Sequence, residues 1–292
     1  LRAPQRRGRL RGAIARVGAG RPPVVNPAAM RITTWNINSV RLRFDLLRRV
    51  VDEHEPDVLC LQETKVEDAR FPADAAKALG FAHVLAHGQR NYNGVAILSK
   101  VPLEGHETRA WCGYDHCRHQ ITRLDGGIEL HNLYVPSGGD VPDRDANPKF
   151  AHKLDFLAEL AAHWRAQGAG RRAMIAVGDL NIAPLETDVW SHKQMLNVVS
   201  HTPVEVEALG ELQASAEFTD AVRAIIPPEQ KLYSWWSYRA RDWAASDRGR
   251  RLDHVWVTPP LKDAVRDARI LRAARGWEKP SDHVPVTVDL EL

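Results

Sequence analysis

Residues 174–181 read Met-Ile-Ala-Val-Gly-Asp-Leu-Asn, an apolar run that stops at a glycine, a carboxylate and a carboxamide. This pattern predicts a buried β-strand followed by a turn. Two other predicted strands stop in the same way, since Arg31–Asn36 leads to Asn38 and Asp57–Gln62 leads to Glu63. Such strand ends converge on one edge of a sheet, so the sequence predicts a polar site there.

Short apolar runs and amphipathic stretches alternate from Met30 to the C-terminus without an intervening linker, which indicates one α/β domain over residues 30–292. The other predicted strands are Gly94–Ser99, Ile128–Val135, Arg172–Gly178, Asp253–Thr258 and His283–Leu290. The predicted helices cover residues 41–54, 72–79, 149–167, 187–196 and 217–225.

Composition excludes two classes of protein. The 292 residues are 44% hydrophobic and 26% charged, and no apolar run approaches the roughly 20 residues that a helix needs to cross a bilayer. A membrane-spanning protein is therefore not expected. With only three cysteines, a disulfide scaffold is not expected either, and the reducing cytoplasm is the predicted location.

The net charge of +3 comes from the N-terminus. Seven of the 40 basic residues, and none of the 37 acidic ones, lie in residues 1–29, so the rest of the chain carries more acid than base. This segment is rich in Arg, Gly, Pro and Ala and is predicted to be a disordered basic tail that precedes a natural start at Met30. The alternative is a basic arm that adds non-specific affinity for DNA.

The polar strand ends supply four carboxylates, from Glu63, Asp179, Asp253 and Asp282, together with the imidazole of His283. Each alone is more simply explained as a turn former, surface charge or cap. Gathered in one cleft, four carboxylates would repel each other unless a cation or protons neutralised them. Hard oxygen donors suit Mg²⁺ or Mn²⁺, and the chemistry that fits such a site is phosphoryl-ester hydrolysis.

Seven motifs in this order resemble the exonuclease III family of abasic-site endonucleases, within the endonuclease/exonuclease/phosphatase superfamily. The resemblance runs from Met30 to the C-terminus. Its motifs are Trp35–Asn38 with Arg41, Leu61–Lys65, Asn93–Ser99, Tyr134–Pro136, Gly178–Asn181, Arg251–His254 and Ser281–His283.

The resemblance implies a four-layer α/β sandwich, in which two mixed β-sheets pack face to face with flanking helices. It also implies that Asn36 and Glu63 hold a catalytic Mg²⁺, for which Mn²⁺ can substitute. Asp282, Asp179 and Asn181 are the further metal ligands that it implies.

The same resemblance implies the catalytic roles. Asp179 would position or deprotonate the attacking water, and Asn181 would orient that water or the phosphate. Tyr134 would support the charge that develops on the phosphate or on the leaving oxygen. His283, oriented by Asp253, would contact the scissile phosphate.

The segment from Lys231 to Asp253 interleaves aromatic rings with six basic residues. Arginines neutralise phosphates, and flat rings stack on bases or fill the space that a missing base leaves. The alternative is that the tryptophans are core residues and the arginines a solvated loop. Trp235 or Trp236 is expected to line an abasic-site pocket, and which of the two does so stays open. The predicted DNA contacts are Arg41, Arg118, Trp235, Trp236, Tyr238, Arg239 and Arg241.

The sequence therefore predicts a metal-dependent DNA-repair nuclease that acts as a monomer on double-stranded DNA. It is expected to cut 5′ to abasic sites and to act as a 3′-to-5′ exodeoxyribonuclease. Two alternatives remain, namely a phosphodiesterase acting on a lipid head group or inositol phosphate, and a catalytically silent DNA-binding protein.

A small group of sulfur and imidazole ligands, Cys112, His116, Cys117 and His119, suggests zinc. Its spacings fit no standard zinc finger, so free thiols in a surface loop are the favoured interpretation.

Overall fold

The computed structural model describes residues 29–292, and the predicted tail lies outside them except for its last residue. Fourteen strands occur in this range. They are β1 Met30–Asn36, β2 Val58–Gln62, β3 His83–His87, β4 Val95–Ser99, β5 Glu104–Thr108, β6 His119–Arg123, β7 Glu129–Tyr134, β8 Met174–Asp179, β9 Thr219–Asp220, β10 Trp235–Trp236, β11 Gly249–Arg250, β12 Asp253–Val257, β13 Val265–Ile270 and β14 Val286–Leu290.

Seven α-helices and several short 3₁₀ turns connect the strands within the described range. The helices are α1 Val40–His54, α2 Ala73–Ala78, α3 Pro148–Ala166, α4 His192–Met195, α5 Pro203–Ala214, α6 Ala221–Ile225 and α7 Trp243–Ser246. None of the helices in residues 29–292 has the length and apolar character that a bilayer crossing requires.

The larger strands form two six-stranded mixed sheets, and β10 and β11 form a separate two-stranded ribbon. The first sheet has the order β13-β14-β1-β2-β4-β3, and the second has the order β5-β6-β7-β8-β12-β9. In each sheet only the central pair is parallel, β1 with β2 and β7 with β8, and the other neighbours are antiparallel.

Three apolar clusters separate the layers. Side chains from both sheets, including Ile32, Ile97, Ile175 and Val255, form the cluster between them. A second cluster packs the other face of the first sheet against α1 and α2, and a third packs the other face of the second sheet against α3 and α5. The predicted four-layer α/β sandwich is confirmed.

Strand register brings the polar strand ends together. Tyr134 on β7 lies opposite Asp179 on β8, and Asp179 lies opposite Asp253 on β12. In the first sheet, Asn36 on β1 lies opposite Gln62 on β2. Because the two central strands of each sheet are parallel, their carboxyl ends fall at one edge of that sheet. The hydrogen bond from Asn36 to Asp179 shows that the two edges meet.

A buried polar contact fixes the two sheets relative to each other near this edge. The Gln62 side chain donates to Asn132 Oδ1 at 2.8 Å, and Asn132 Nδ2 donates to the carbonyls of Leu61 and Ala96. Apolar packing tolerates sliding, whereas hydrogen bonds in a water-free layer have one good geometry. These bonds therefore set how the two sheet edges line up.

Some predicted elements are wrong. The helix predicted at 187–196 is a 3₁₀ turn at Glu186–Asp188 and a single helical turn, α4, because Val189 between them bridges to Arg250. The helix predicted at 217–225 begins only at Ala221, since Thr219–Asp220 pairs with β12.

The last strand begins at Val286 instead of His283. The elements that the sequence did not predict include the edge strands β3, β5 and β13. β5 and β13 are rich in polar residues, and the short β3 has apolar residues in a row, so none of the three shows a strong alternation between apolar and polar. Helix α5 was also missed, although Thr202 and Glu205 form a capping box and Pro203 opens the helix.

We predict that Gly178→Ala disrupts the pairing of β7 with β8 and so destabilises the protein. Gly178 has φ +143°, and a Cβ there would lie 1.9 Å from the Leu133 carbonyl oxygen. We expect the free energy of unfolding, measured by chemical denaturation, to fall by about 3 kcal/mol or more. Gly105→Ala is the control, because Gly105 has φ +70° with open space around it and should lose only about 1 kcal/mol. Equal losses would contradict the steric explanation.

Candidate active site

The amide of Asn36 joins the two sheets at the polar edge. Its Nδ2 donates to Glu63 Oε1 at 3.1 Å and to Asp179 Oδ2 at 2.9 Å, while its Oδ1 accepts from the Asn38 backbone at 3.0 Å. Glu63 follows β2 in the first sheet, and Asp179 ends β8 in the second. One buried side chain therefore holds two predicted site carboxylates at a fixed separation.

Glu63 lies among donors. Tyr134 donates to Glu63 Oε1 at 2.6 Å, and the Lys65 ammonium lies 2.7 Å from Oε2. Burial alone would raise the pKa of Glu63, but Lys65 and these hydrogen bonds hold it below its ordinary value. Burial and the neighbouring Glu63 raise the pKa of Tyr134 well above its ordinary range. Glu63 is thus a carboxylate, and Tyr134 keeps its proton.

The turn after β8 is built around Asp179. Asn181 has φ 55°, and its backbone N–H donates to Asp179 Oδ1 at 3.0 Å. Its side-chain amide donates to Asp179 Oδ2 and to the Val135 carbonyl. Burial raises the pKa of Asp179 above its ordinary value, and His283 opposes that rise. A buried carboxylate of this kind is a good proton acceptor near neutral pH.

His283 lies between two carboxylates. Its Nδ1 is 2.8 Å from Asp253 Oδ2, and its Nε2 is 3.6 Å from Asp179 Oδ2. Burial would lower the pKa of His283, but Asp253 and Asp179 outweigh burial and raise it to about 10. Ser234 also donates to Asp253 Oδ2, at 2.6 Å. The imidazole is therefore protonated and fixed in orientation.

The oxygens around Glu63 fit a hard divalent cation. The Lys65 ammonium already places a positive charge there, 2.7 Å from Glu63 Oε2 and 2.6 Å from Asn38 Oδ1. Asn38 Nδ2 in turn donates to Asp282 Oδ1 at 3.0 Å, which brings the Asp282 carboxylate to the same place. Carboxylate and carboxamide oxygens are the donors that Mg²⁺ and Mn²⁺ prefer.

A second group, Asp179, Asp253 and His283, also brings three donor atoms within 4.8 Å of one another. Its imidazole is already paired with both carboxylates, and a protonated imidazole does not bind a metal. This group therefore holds protons and orients hydrogen bonds.

A cavity of about 660 Å³ adjoins Asp282 and has the indole of Trp235 in its wall. The Arg250 guanidinium lies 4.8 Å from the centroid of the Trp235 ring, and Arg248 lies 4.6 Å from that of Trp190 on the same wall. Trp235 Nε1 donates to Asp282 Oδ2 at 2.9 Å. Asp282 thus lies both in the cavity wall and beside Asn38 at the polar edge of the sheets.

Trp236 points the other way. It is 2% exposed, packs in the cluster beneath the first sheet and donates to Asp247. Neighbouring residues of a strand face opposite sides, so only one of the two indoles can face the cavity. Trp236 is therefore a core residue, and the predicted DNA contact at this position does not fit its placement.

Comparison with known proteins agrees with this geometry. A family model described as the endonuclease/exonuclease/phosphatase family matches residues 33–283. The chain belongs to this family. The predicted resemblance to the exonuclease III group is confirmed, and so is the enzyme class, a divalent-metal-dependent phosphodiester hydrolase of the nuclease type.

Individual relatives cover nearly the whole chain. Exodeoxyribonuclease III of Haemophilus influenzae is 29% identical over 90% of this chain and all of its own length. A DNA repair nuclease of Danio rerio is 30% identical over 91% of this chain and 83% of its own.

Solved structures agree as well. An AP endonuclease from Archaeoglobus fulgidus superposes with a TM-score of 0.83 at 30% identity, over 90% of this chain and all of that one. A 3′ phosphatase from Neisseria bound to a product DNA hairpin superposes with a TM-score of 0.82 at 30% identity, with the same coverage.

The other predicted DNA contacts of this family member lie around the site. Arg118 donates to the Tyr134 carbonyl at 3.2 Å, and its guanidinium lies 4.6 Å from the Tyr134 ring centroid. Arg41 is exposed beside Lys65. The remaining three are in one loop, where Tyr238 and Arg239 line the 660 Å³ cavity and Arg241 is exposed.

The predicted surface loop around the cysteines is wrong in part. His119 begins β6, is completely buried and accepts a hydrogen bond from Trp111 Nε1. Cys117 is also buried. None of the three cysteines forms a disulfide, and within residues 29–292 these side chains do not form a metal-ligand group.

Sequence reasoning missed several residues of the site. Lys65 and Asn38 belong to recognised motifs but were given no role, and adjacency to Glu63 and Asn36 was their only signal. Ser234 supports Asp253 from 19 residues away, and Trp190 joins the cavity wall from the predicted helix at 187–196. Only the fold brings these residues together.

We predict that Asp253→Asn lowers the pKa of His283. Removing the adjacent carboxylate charge should shift titration of the ring by about 1–3 pH units towards acid. The measurement is an NMR titration of the His283 ring signals in metal-free protein from pH 6 to 10.5. Asp282→Asn is the control and should give a smaller shift, because Asp282 affects the ring more weakly than Asp253 does. An unchanged titration in Asp253→Asn would refute the assignment.

Proposed function

We propose that this chain is a Mg²⁺-dependent DNA-repair nuclease that cuts duplex DNA 5′ to abasic sites and trims 3′ ends in the 3′-to-5′ direction. The observation that carries the proposal is the position of the Trp235 cavity. It shares Asp282 with the polar edge at which Glu63, Asp179 and His283 meet. When the scissile phosphodiester lies at that edge, the nucleotide next to it would face the cavity.

Asp179 is the proposed acceptor of the water proton. Its raised pKa suits this role, and the hydrogen bonds from Asn36 and Asn181 aim the carboxylate in one direction. Asn181 would orient the same water or a phosphate oxygen through its side-chain amide.

His283 and Tyr134 are the proposed donors to the phosphate. His283 remains charged at neutral pH because of Asp253, so its Nε2–H can stabilise negative charge on a non-bridging oxygen. Tyr134 keeps its proton and can support the leaving oxygen. Fixed donors of this kind require little reorganisation as charge develops.

Glu63, Asn36 and Asp282 would hold the metal, with Asp179 and Asn181 as the remaining predicted ligands. When bound, Mg²⁺, or Mn²⁺ in its place, would supply charge neutralisation at the phosphate. The protein residues then position the water and the scissile bond, which accounts for much of the barrier reduction in phosphoryl transfer.

Recognition of an abasic nucleotide is supported by the chemistry of the cavity wall. Trp235 offers an apolar face to a sugar without its base, while Arg239, Arg248 and Arg250 provide charge for neighbouring phosphates. A lipid or inositol phosphate hydrolase would need the same catalytic groups but has no use for these indole and guanidinium pairs. The site is built within one chain, which fits a monomer, and free cysteines fit the cytoplasm.

We predict that the protein cuts a duplex carrying one tetrahydrofuran abasic analogue in Mg²⁺ and does not cut it in EDTA. Asp179→Asn should lower kcat by roughly 10²–10⁴-fold while the protein remains folded by circular dichroism. Equal cleavage in EDTA and Mg²⁺, or none in Mg²⁺, would refute the proposal. Sphingomyelin is the comparison substrate, and faster hydrolysis of it than of DNA would favour the lipid alternative.

We predict that Trp235→Ala lowers kcat/KM for the tetrahydrofuran duplex by roughly tenfold or more, because the cavity loses its apolar face. Trp243→Ala is a matched control that removes a half-buried indole outside the cavity and should leave kcat/KM unchanged. Trp236→Ala should instead lower the free energy of unfolding by about 3–5 kcal/mol. An unchanged kcat/KM in Trp235→Ala would contradict the role of this wall.

A further inference from the structure

Behind the proposed active site lies a fully buried ion pair. The side chains of Lys153, on α3, and Glu205, on α5, are both 0% exposed, and Lys153 Nζ lies 2.5 Å from Glu205 Oε1. A buried ion pair stabilises a fold weakly, because desolvation of the two charges offsets their attraction. What such a pair determines well is geometry, since both charges must be fully hydrogen-bonded.

Lys153 uses its other two donors on the loops of the proposed site. Nζ donates to the carbonyl of Asn181 at 2.8 Å and to the carbonyl of Ser137 at 3.3 Å. The first loop follows Asp179 and carries Asn181, and the second follows Tyr134. All three ammonium protons therefore have acceptors, and two of them fix backbone that carries site residues.

Glu205 fixes a third segment, residues 199–202. Its carboxylate accepts from the backbone N–H groups of Ser200 and Thr202 and from the Thr202 hydroxyl. The Ser200 carbonyl in turn accepts from Ala183 N at 2.8 Å, two residues after Asn181. Residues 199–202 are thus held by Glu205 on one side and by the backbone that follows Asn181 on the other.

This third segment reaches the cavity wall. Arg250 donates to the Val199 carbonyl at 3.0 Å and to the Ser200 hydroxyl at 2.9 Å, and the same guanidinium covers the Trp235 ring. A continuous set of contacts therefore runs from the Asn181 carbonyl through Lys153 and Glu205 to the wall of the cavity.

Backbone conformation indicates that these segments need holding. Asn181 has φ 55° and Ser200 has φ 92°, both in the left-handed region that favours glycine. Such conformations persist only where surrounding contacts enforce them. Lys153 holds the carbonyl of the first residue, and Glu205 holds the N–H of the second.

We propose that Lys153 and Glu205 are positioning residues of the nuclease, which hold the Asn181 loop and the Trp235 wall in register with each other. This inference rests on the proposed function for the roles of Asn181 and the cavity. Loss of the ammonium frees two carbonyls beside the reacting groups without removing any group that touches the substrate. Loss of the ion pair should lower kcat more than it changes KM, because the pair controls how the reacting groups are oriented in the transition state.

The experiment compares Lys153→Met, Glu205→Gln and the double variant Lys153→Met/Glu205→Gln. Methionine keeps the length of the lysine stem, and glutamine keeps an oxygen for Ser200 and Thr202. Each single variant leaves one buried charge without its partner. The double variant has neither charge, so its midpoint of thermal unfolding should return most of the way to that of the wild type. Arg269→Met is the control for loss of a cation far from the site, since it breaks the more exposed ion pair with Asp289 at the other end of the first sheet.

The readouts are kcat and KM on a tetrahydrofuran duplex and on an undamaged duplex with recessed 3′ ends, in Mg²⁺. We expect kcat of Lys153→Met to fall roughly tenfold to a hundredfold on the abasic substrate, with KM changed less than about threefold. The double variant should regain stability but not kcat, and Arg269→Met should keep the kcat of the wild type.

The inference is overturned if folded Lys153→Met keeps its kcat, or if kcat returns together with stability in the double variant. Either result would make the pair purely structural. Failure of the proposed function has a different signature, which is a wild type that trims 3′ ends but does not cut the abasic analogue. In that case the kcat for 3′ trimming still decides the role of Lys153.

Discussion

Negative charge has to be buried where the two sheets meet, and two of the three carboxylates there have a positive partner of their own. Glu63 has Lys65 at 2.7 Å, and Asp253 has His283 at 2.8 Å. Asp179 lies near the other nitrogen of the His283 ring and accepts hydrogen bonds from amide groups. Its negative charge is therefore the least compensated of the three. Unequal compensation is what lets neighbouring carboxylates take different roles, because each environment sets a different affinity for a proton or a metal.

Rigid placement of these groups follows from the sandwich itself. Parallel central strands bring Asn36 and Asp179 to the same edge from different sheets, and a single amide then joins them. The Gln62–Asn132 hydrogen bond just below prevents the sheets from sliding. Groups held on strand ends need little rearrangement when a phosphate arrives, which is the condition for efficient electrostatic catalysis.

Attraction for DNA is local in this chain. Beyond residues 1–29 acidic residues outnumber basic ones, so the domain has no general positive field to offer a polyanion. Positive charge is instead concentrated beside the site, on β11 and the residue before it, where Arg250 and Arg248 cover the indoles of Trp235 and Trp190. The contact between guanidinium and indole keeps positive charge next to an apolar surface, so that one wall can contact both a sugar and a phosphate.

The amino-acid sequence is enough to predict the fold class, the order of the motifs and the polar residues that end the central strands. These features are local, since an apolar run and the residue that stops it are adjacent in the chain. Contacts between distant segments decided the rest. Pairing of β10 with β11 turned Trp235 outward and Trp236 into the core, and Lys153 met Glu205 across 52 residues. Neighbouring side chains of a strand point to opposite faces, and this follows from the sequence alone. Which of the two is buried depends on what packs against each face in the tertiary structure.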